Sequence, residues 1–265
     1  MGKKLSNAPV YYTVAQVQFN PILNLDGFIS TIQPRMREAR FPDFKREVFQ
    51  QLVFPFGGLE SSQMAVPTVT PQCRYMFGDI DGRSLFLLDS NSLSYQTTAY
   101  ETFEAFSAAL LNMLRILHEA LNLDYIERIG IRYLDAVQPT KVGETLREYL
   151  VPEVLGLSLR GEGTLQHSVS ETVTTTQSGQ LVSRVFIRHG VVGLPADLAG
   201  AQTPTIASRF TQSEGMHAII DTDASFNQRE VFDMSKVEAR LSALHDEIAH
   251  SFKAIVSANA LTAWA

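Results

Sequence analysis

Several features are scarce in this chain, and each scarcity removes a class of function. There is one cysteine, Cys73, so no disulfide can form within the chain, and the sequence fits a reducing compartment. No apolar run approaches the ~18 residues of a membrane-crossing helix, and no hydrophobic signal segment opens the sequence. The expectation is a cytoplasmic protein that does not enter a membrane. "MGKKLS" fits the N-myristoylation pattern through Gly2 and Ser6, but so short a pattern matches often by accident, and a solvated tail is the preferred reading. Positive charge is also short: 22 basic against 28 acidic side chains leave a net charge of −6. Proteins that live by phosphate contacts are normally basic, so broad nucleic-acid binding is disfavoured, while a local basic patch stays compatible.

Catalytic signatures are missing as well. There is no G-x-S-x-G, no Walker loop and no G-x-G-x-x-G, and "GGLESSQ" reads only as a turn. "LHDEIAH" places His245 and His250 five residues apart, about 140° around a helix, so one helix cannot offer both to a metal. His118, His167, His189 and His217 have no cysteine or second histidine at ligand spacing. Cys73 reads as a small apolar residue. No metal and no cofactor is expected.

What is present is a core: 45% of the 265 residues are hydrophobic. "VYYTVAQVQFNPI" (10–22) alternates and predicts a strand that Asn20-Pro21 stops; "DGFISTIQPRMREA" predicts a helix shortened or kinked by Pro34. In the ambiguous segment 41–70, "QQLVFPF" is strand-like and Gly57-Gly58 a turn; Asp81-Gly82 then marks a hairpin. Residues 98–122 predict a helix capped by Thr98 and Glu101. "YIERIGIRYLDAV" (125–137) predicts a strand, and "GETLREYLVPEVLG" (143–156) a short helix broken at Pro152. A second hairpin turns at Ser178-Gly179, a Gly/Pro-bearing loop spans 190–213, and "HAIIDTDASFN" supplies a last strand. Residues 235–257 predict a long helix capped by Ser235 and Glu238.

The order of elements repeats. "LFLLDSNSLSY" answers to "HAIIDTDASFN", each leading into a long capped helix, so Asp89 is expected to match Asp221. The predicted class is α+β: duplicated β-α-β(n)-α units, residues 1–123 and 124–265, forming a largely antiparallel sheet with two long helices on one face. Asp221 and Asp223 share a strand face. Because Asn91 stands where the second aspartate would repeat, the economical reading of the pair is a strand-end turn.

If helices cover one face, Val17, Phe19, Ile129, Ile131, Val185, Ile187 and Ile220 are core. The other face then carries Gln16, Gln18, Arg128, Arg132, Arg184, Arg188, Asp89, Asp221 and Asp223, with Phe186 and Asn91. Arginines among carboxylates and amides can bind an anion, an extended peptide or another protein, or can simply be a solvated sheet.

The combination "VAQVQFNPIL", "YIERIGIRYLDAV", "LREYL", "LPADL", "AIIDTD" and "LHDEIAHSFKAIVSANALTAW" resembles a sporadically distributed family of uncharacterised bacterial proteins, over nearly the whole chain. That resemblance implies a prokaryotic, cytoplasmic, patchily inherited protein of the kind found in defence or toxin–antitoxin systems, and it supplies no catalytic residues. The layout is also similar to the duplicated TATA-binding-protein-like saddle, though the chain is acidic and lacks that fold's phenylalanine wedges. The expected function is a non-enzymatic protein-interaction or regulatory subunit whose partner is another protein. The alternatives are a metal-dependent hydrolase or nuclease using Asp221 and Asp223 with Asp89, and nucleotide or nucleic-acid binding through the arginines.

Overall fold

A computed structural model describes residues 7–53, 68–139, 141, 143–200 and 202–265. The Gly2–Ser6 pattern and the Gly57-Gly58 turn lie outside the described residues. The protein is α+β. Among the described residues ten strands form one sheet: β1 Val10–Phe19, β2 Asp43–Val53, β3 Thr68–Gly78, β4 Ser84–Asp89, β5 Ser92–Thr97, β6 Tyr125–Val137, β7 His167–Thr175, β8 Gln180–Gly190, β9 Gly215–Phe226 and β10 Glu230–Val231. The order is β2-β3-β4-β5-β1-β6-β9-β8-β7, with β10 paired to β6, and every pairing is antiparallel.

Strand alternation decides what is buried. In β4, Ser84, Phe86 and Leu88 turn inward while the residues between them do not. All seven expected core residues are buried, none more than 2% exposed. They join two apolar clusters that also contain side chains of α1 (Ile29–Glu38), α2 (Phe103–Leu121), α3 (Pro152–Leu155), α5 (Met234–Ile255) and α6 (Ala258–Trp264). Leu110, Leu114 and Leu117 of α2 are completely buried, each contributing about 1.5–3 kcal/mol of transfer free energy.

Two helix starts differ from expectation. The α2 cap is Thr102, whose hydroxyl accepts from Ala105 N–H; the α5 cap is Asp233, which accepts from Ser235 and Lys236 N–H. Thr98 falls four residues before the true cap of α2, whereas Ser235 already lies in the first turn of α5, one step past Met234; in each helix the residue immediately before the first helical position supplies the acceptor. Thr98 has another task, described below. Pro152 begins α3 rather than breaking a helix, because a first-turn N–H has no intrahelical partner to lose. "SNSLSY" also departs from its reading as a strand end entering a helix. Ser90 and Asn91 form a tight turn into β5, so Asp89 closes β4, three strands out from β6, whereas Asp221 lies mid-strand on β9 beside β6. The two aspartates do not occupy corresponding places.

The largest departure concerns the polar face, expected to be open. Residues 191–200 and 202–207 run across it as a strap. Tyr11 donates to Gly193 O (2.9 Å), Thr205 N–H donates to Gly82 O (2.8 Å), and the Thr98 hydroxyl donates to Thr205 O (2.6 Å). The strap thus reaches the β3–β4 hairpin, whose Gly82 holds φ +64 as the predicted turn requires. Leu194, Leu198 and Ile206, with Phe210 of α4 (Ser208–Thr211), pack on Tyr11, Tyr12, Leu134 and Ile219. A register shift between Val10 and Tyr12 lets both tyrosines enter that cluster.

Candidate functional site

Between sheet and strap lies a cleft of about 420 Å³, within the range of small-ligand sites. Its floor crosses the strands: Glu47 of β2, Arg74 of β3, Asp89 of β4, Gln96 of β5, Gln16 of β1, Arg128 and Arg132 of β6, and Asp223 of β9. Val14, Met76 and Leu87 add apolar floor, and Asp197, Leu198 and Thr203 belong to the strap. Four strand spacings separate β3 from β6, so the floor runs roughly 19 Å from Arg74 toward Arg128.

The arginines are in three different states. Arg74 holds Asp89 with two parallel bonds, Nε to Oδ1 at 2.9 Å and Nη2 to Oδ2 at 3.1 Å. Arg132 is similarly bidentate to Asp221, both bonds 2.7 Å, and extends Nη1 to Asp197 on the strap at 2.5 Å. Burial opposes its charge, but these hydrogen bonds hold the guanidinium firmly protonated. The same bond to Arg132 draws the Asp197 carboxyl below its ordinary range. This pair ties floor to strap. Arg128 makes one weak contact, to Gln16 Oε1 at 3.3 Å, and among the described residues no carboxylate lies within salt-bridge distance of it.

Gly130 explains how Arg128 lies. A Cβ at position 130 would stand 2.7–2.9 Å from Nη1, Nη2 and Cζ of Arg128, so the guanidinium rests flat on the bare glycine backbone. Asp223 faces this spot from β9, opposite Arg132 in register. Burial pushes the Asp223 carboxyl above its ordinary range, while Arg128 and Arg132 pull the other way. The Gln96 Oε1 is buried in the cleft without a hydrogen-bond partner. A cation outside any ion pair, a half-buried carboxylate and, two strands from β6, an orphan acceptor therefore line the same cleft.

Of the residues expected to form a binding face, Gln16, Arg128, Arg132, Asp89 and Asp223 meet in the cleft. Gln18 stands beside it, donating to Gln16 Oε1 at 3.2 Å. Arg184 lies outside, paired with Glu171 and 3.7 Å from Asp221. Arg188 is farther along β8, beside Val191 O and His217. Asp221 is fully buried with both oxygens taken up by arginines. Asp89 is separated from Asp223 by four strand spacings, roughly 19 Å, so the three aspartates do not converge on one ion. Among the described residues no group of three His, Cys, Asp or Glu side chains is arranged to hold a metal.

Arg74, Glu47, Gln96, Gly130 and Asp197 escaped the sequence reading. Alternation in "CRYMFG" places Arg74 on the polar face with Met76, a signal that was available. Nothing local indicates that Asp197 reaches Arg132. No protein-family model matches this chain, and no curated protein matches it either.

Proposed function

We propose that this chain is a non-enzymatic recognition subunit that holds an extended polypeptide segment of a partner protein in the cleft. The observation that carries the reading is the unpaired Arg128 beside Asp223 and the orphan Gln96 Oε1. That combination offers both signs and an acceptor, as a peptide requires, whereas a phosphate site would gather cations alone. Roughly 19 Å of floor accommodates about six extended residues at ~3.3 Å each.

Two further parts belong to the same reading. The outward strand order from the central β1–β6 pair, with α2 following β5 and α5 following β9, supports duplicated β-α-β(n)-α units over 1–123 and 124–265 with both long helices on one face. The family resemblance supports a cytoplasmic role in a prokaryotic defence or toxin–antitoxin system.

An array of random decapeptides tests the binding reading. Wild-type protein is expected to capture a subset, and Arg128→Glu to lose at least tenfold of that signal. No capture, or capture indifferent to the substitution, overturns it. Oligonucleotide binding that weakens steeply with salt would favour the nucleic-acid alternative. A manganese-dependent thermal shift abolished by Asp223→Asn would favour the hydrolase.

A further inference from the structure

The cleft is not uniform along its length, and the Arg128 end differs from the rest. At the β3 end the cation is already satisfied by Asp89, so an incoming anion gains nothing there. At the β6 end one guanidinium is unspent, and it lies on Gly130 rather than standing up into solvent. The ion pair from Arg132 to Asp197 joins floor and strap at this same end.

We infer that this end receives the free C-terminal carboxylate of the bound polypeptide, and that Gly130 is the positioning residue that makes the receptor. The inference rests on the polypeptide reading above and specifies its polarity. The planar fork of Arg128 accepts a carboxylate with two parallel N–H donors. Gln96 Oε1 and the Asp223 carboxyl oxygens are acceptors on the cleft wall for backbone N–H groups of the last residues. Val14, on the neighbouring strand β1, provides apolar floor near the terminus, while Met76 and Leu87 lie toward the β3 end under residues farther up the bound segment.

Glycine at 130 is otherwise a poor choice. It sits inside the thirteen-residue strand β6, paired with Gln16 on one side and Ser225 on the other, where glycine weakens a strand. Its backbone does not adopt the positive φ that would demand glycine. What a side chain there would meet first is Arg128: all three nearest atoms to the added Cβ belong to its guanidinium. A purely structural role and a positioning role therefore predict opposite effects for Gly130→Ala.

The experiment uses decapeptides captured by the wild-type protein, remade with a free C-terminal carboxylate or a C-terminal amide, and measured by fluorescence anisotropy. Wild type is expected to bind the acid form at least tenfold more tightly than the amide. Gly130→Ala should melt no lower than wild type yet lose most of that preference; Arg128→Gln should lose it too, and serves if the glycine variant misfolds. Equal affinity for acid and amide overturns the terminal assignment while leaving an internal-segment reading of the cleft intact. A preference that survives both Gly130→Ala and Arg128→Gln overturns the assignment of the receptor to this end. If no decapeptide binds at all, this inference and the reading beneath it fall together.

Discussion

Asp135 gives the sharpest physical test of this structure. It lies on β6 opposite Ile220, with Tyr133 and Val137 on the same face, and is 8% exposed. Burial pushes its carboxyl from 3.8 up to about 7, because among the described residues no charge or hydrogen bond offsets the loss of water. The folded state therefore holds a proton that the unfolded chain releases near pH 4. Below that pH the residue is neutral in both states and its contribution is fully favourable. Between pH 4 and 7 stability drains away at 1.36 kcal/mol per pH unit, about 4 kcal/mol in all, and above pH 7 the loss is complete. Asp135→Asn removes the ionisation. The variant should match or fall slightly below wild type at pH 4 and exceed it progressively up to pH 8, the difference between the two moving by about 4 kcal/mol. Urea denaturation measures this: with a slope of ~3 kcal/mol/M, the midpoints should move by roughly 1.3 M relative to each other. A wild-type-to-variant difference that stays constant between pH 4 and pH 8 would refute the burial of a lone carboxyl at this position.

Two other substitutions test the polar face. Arg132→Met strands the buried Asp221 carboxylate and should cost about 3–5 kcal/mol in denaturant melts, while the Arg132→Met/Asp221→Leu pair should regain most of it. If the double variant is no more stable than the single, the two residues are not a pair. Thr98→Val removes the hydroxyl that holds Thr205 O; it should cost about 1 kcal/mol and speed hydrogen exchange in the segment 194–206, with unchanged exchange counting against the strap's attachment.

Much of this arrangement could be read from the sequence, because alternation is a local signal. Val17, Phe19, Ile129 and Ile131 declare an inward face, and Gln16, Gln18, Arg128 and Arg132 the opposite one, whatever lies above them. The same alternation bounds 125–137 as a single strand, which is the extent of β6. The Asp81-Gly82 turn was visible because its chemistry is confined to neighbouring residues. Helix caps are less legible: several acceptors lie near each helix start, and box-like spacing favours Thr98 and Ser235 over Thr102 and Asp233. Asp89 was misplaced because "DSN" serves equally well as a strand end and as a hairpin turn.

By itself, then, the sequence determined the class of fold, the strands that carry the arginines, and the side of the sheet they occupy, since each follows from periodicity over a few residues. Only the tertiary structure decided which arginine is free. Asp221 takes one edge of the Arg132 guanidinium from a strand 89 positions later, Asp197 accepts from another N–H 65 positions later, and Asp89 satisfies Arg74 from across a hairpin. Arg128 stays outside any ion pair because Gly130 leaves room beneath it and, among the described residues, no carboxylate comes within salt-bridge distance, Asp223 acting on it only from farther off. Periodicity fixes the direction of a side chain, whereas its partner is set by which distant segments the fold brings within about 3 Å.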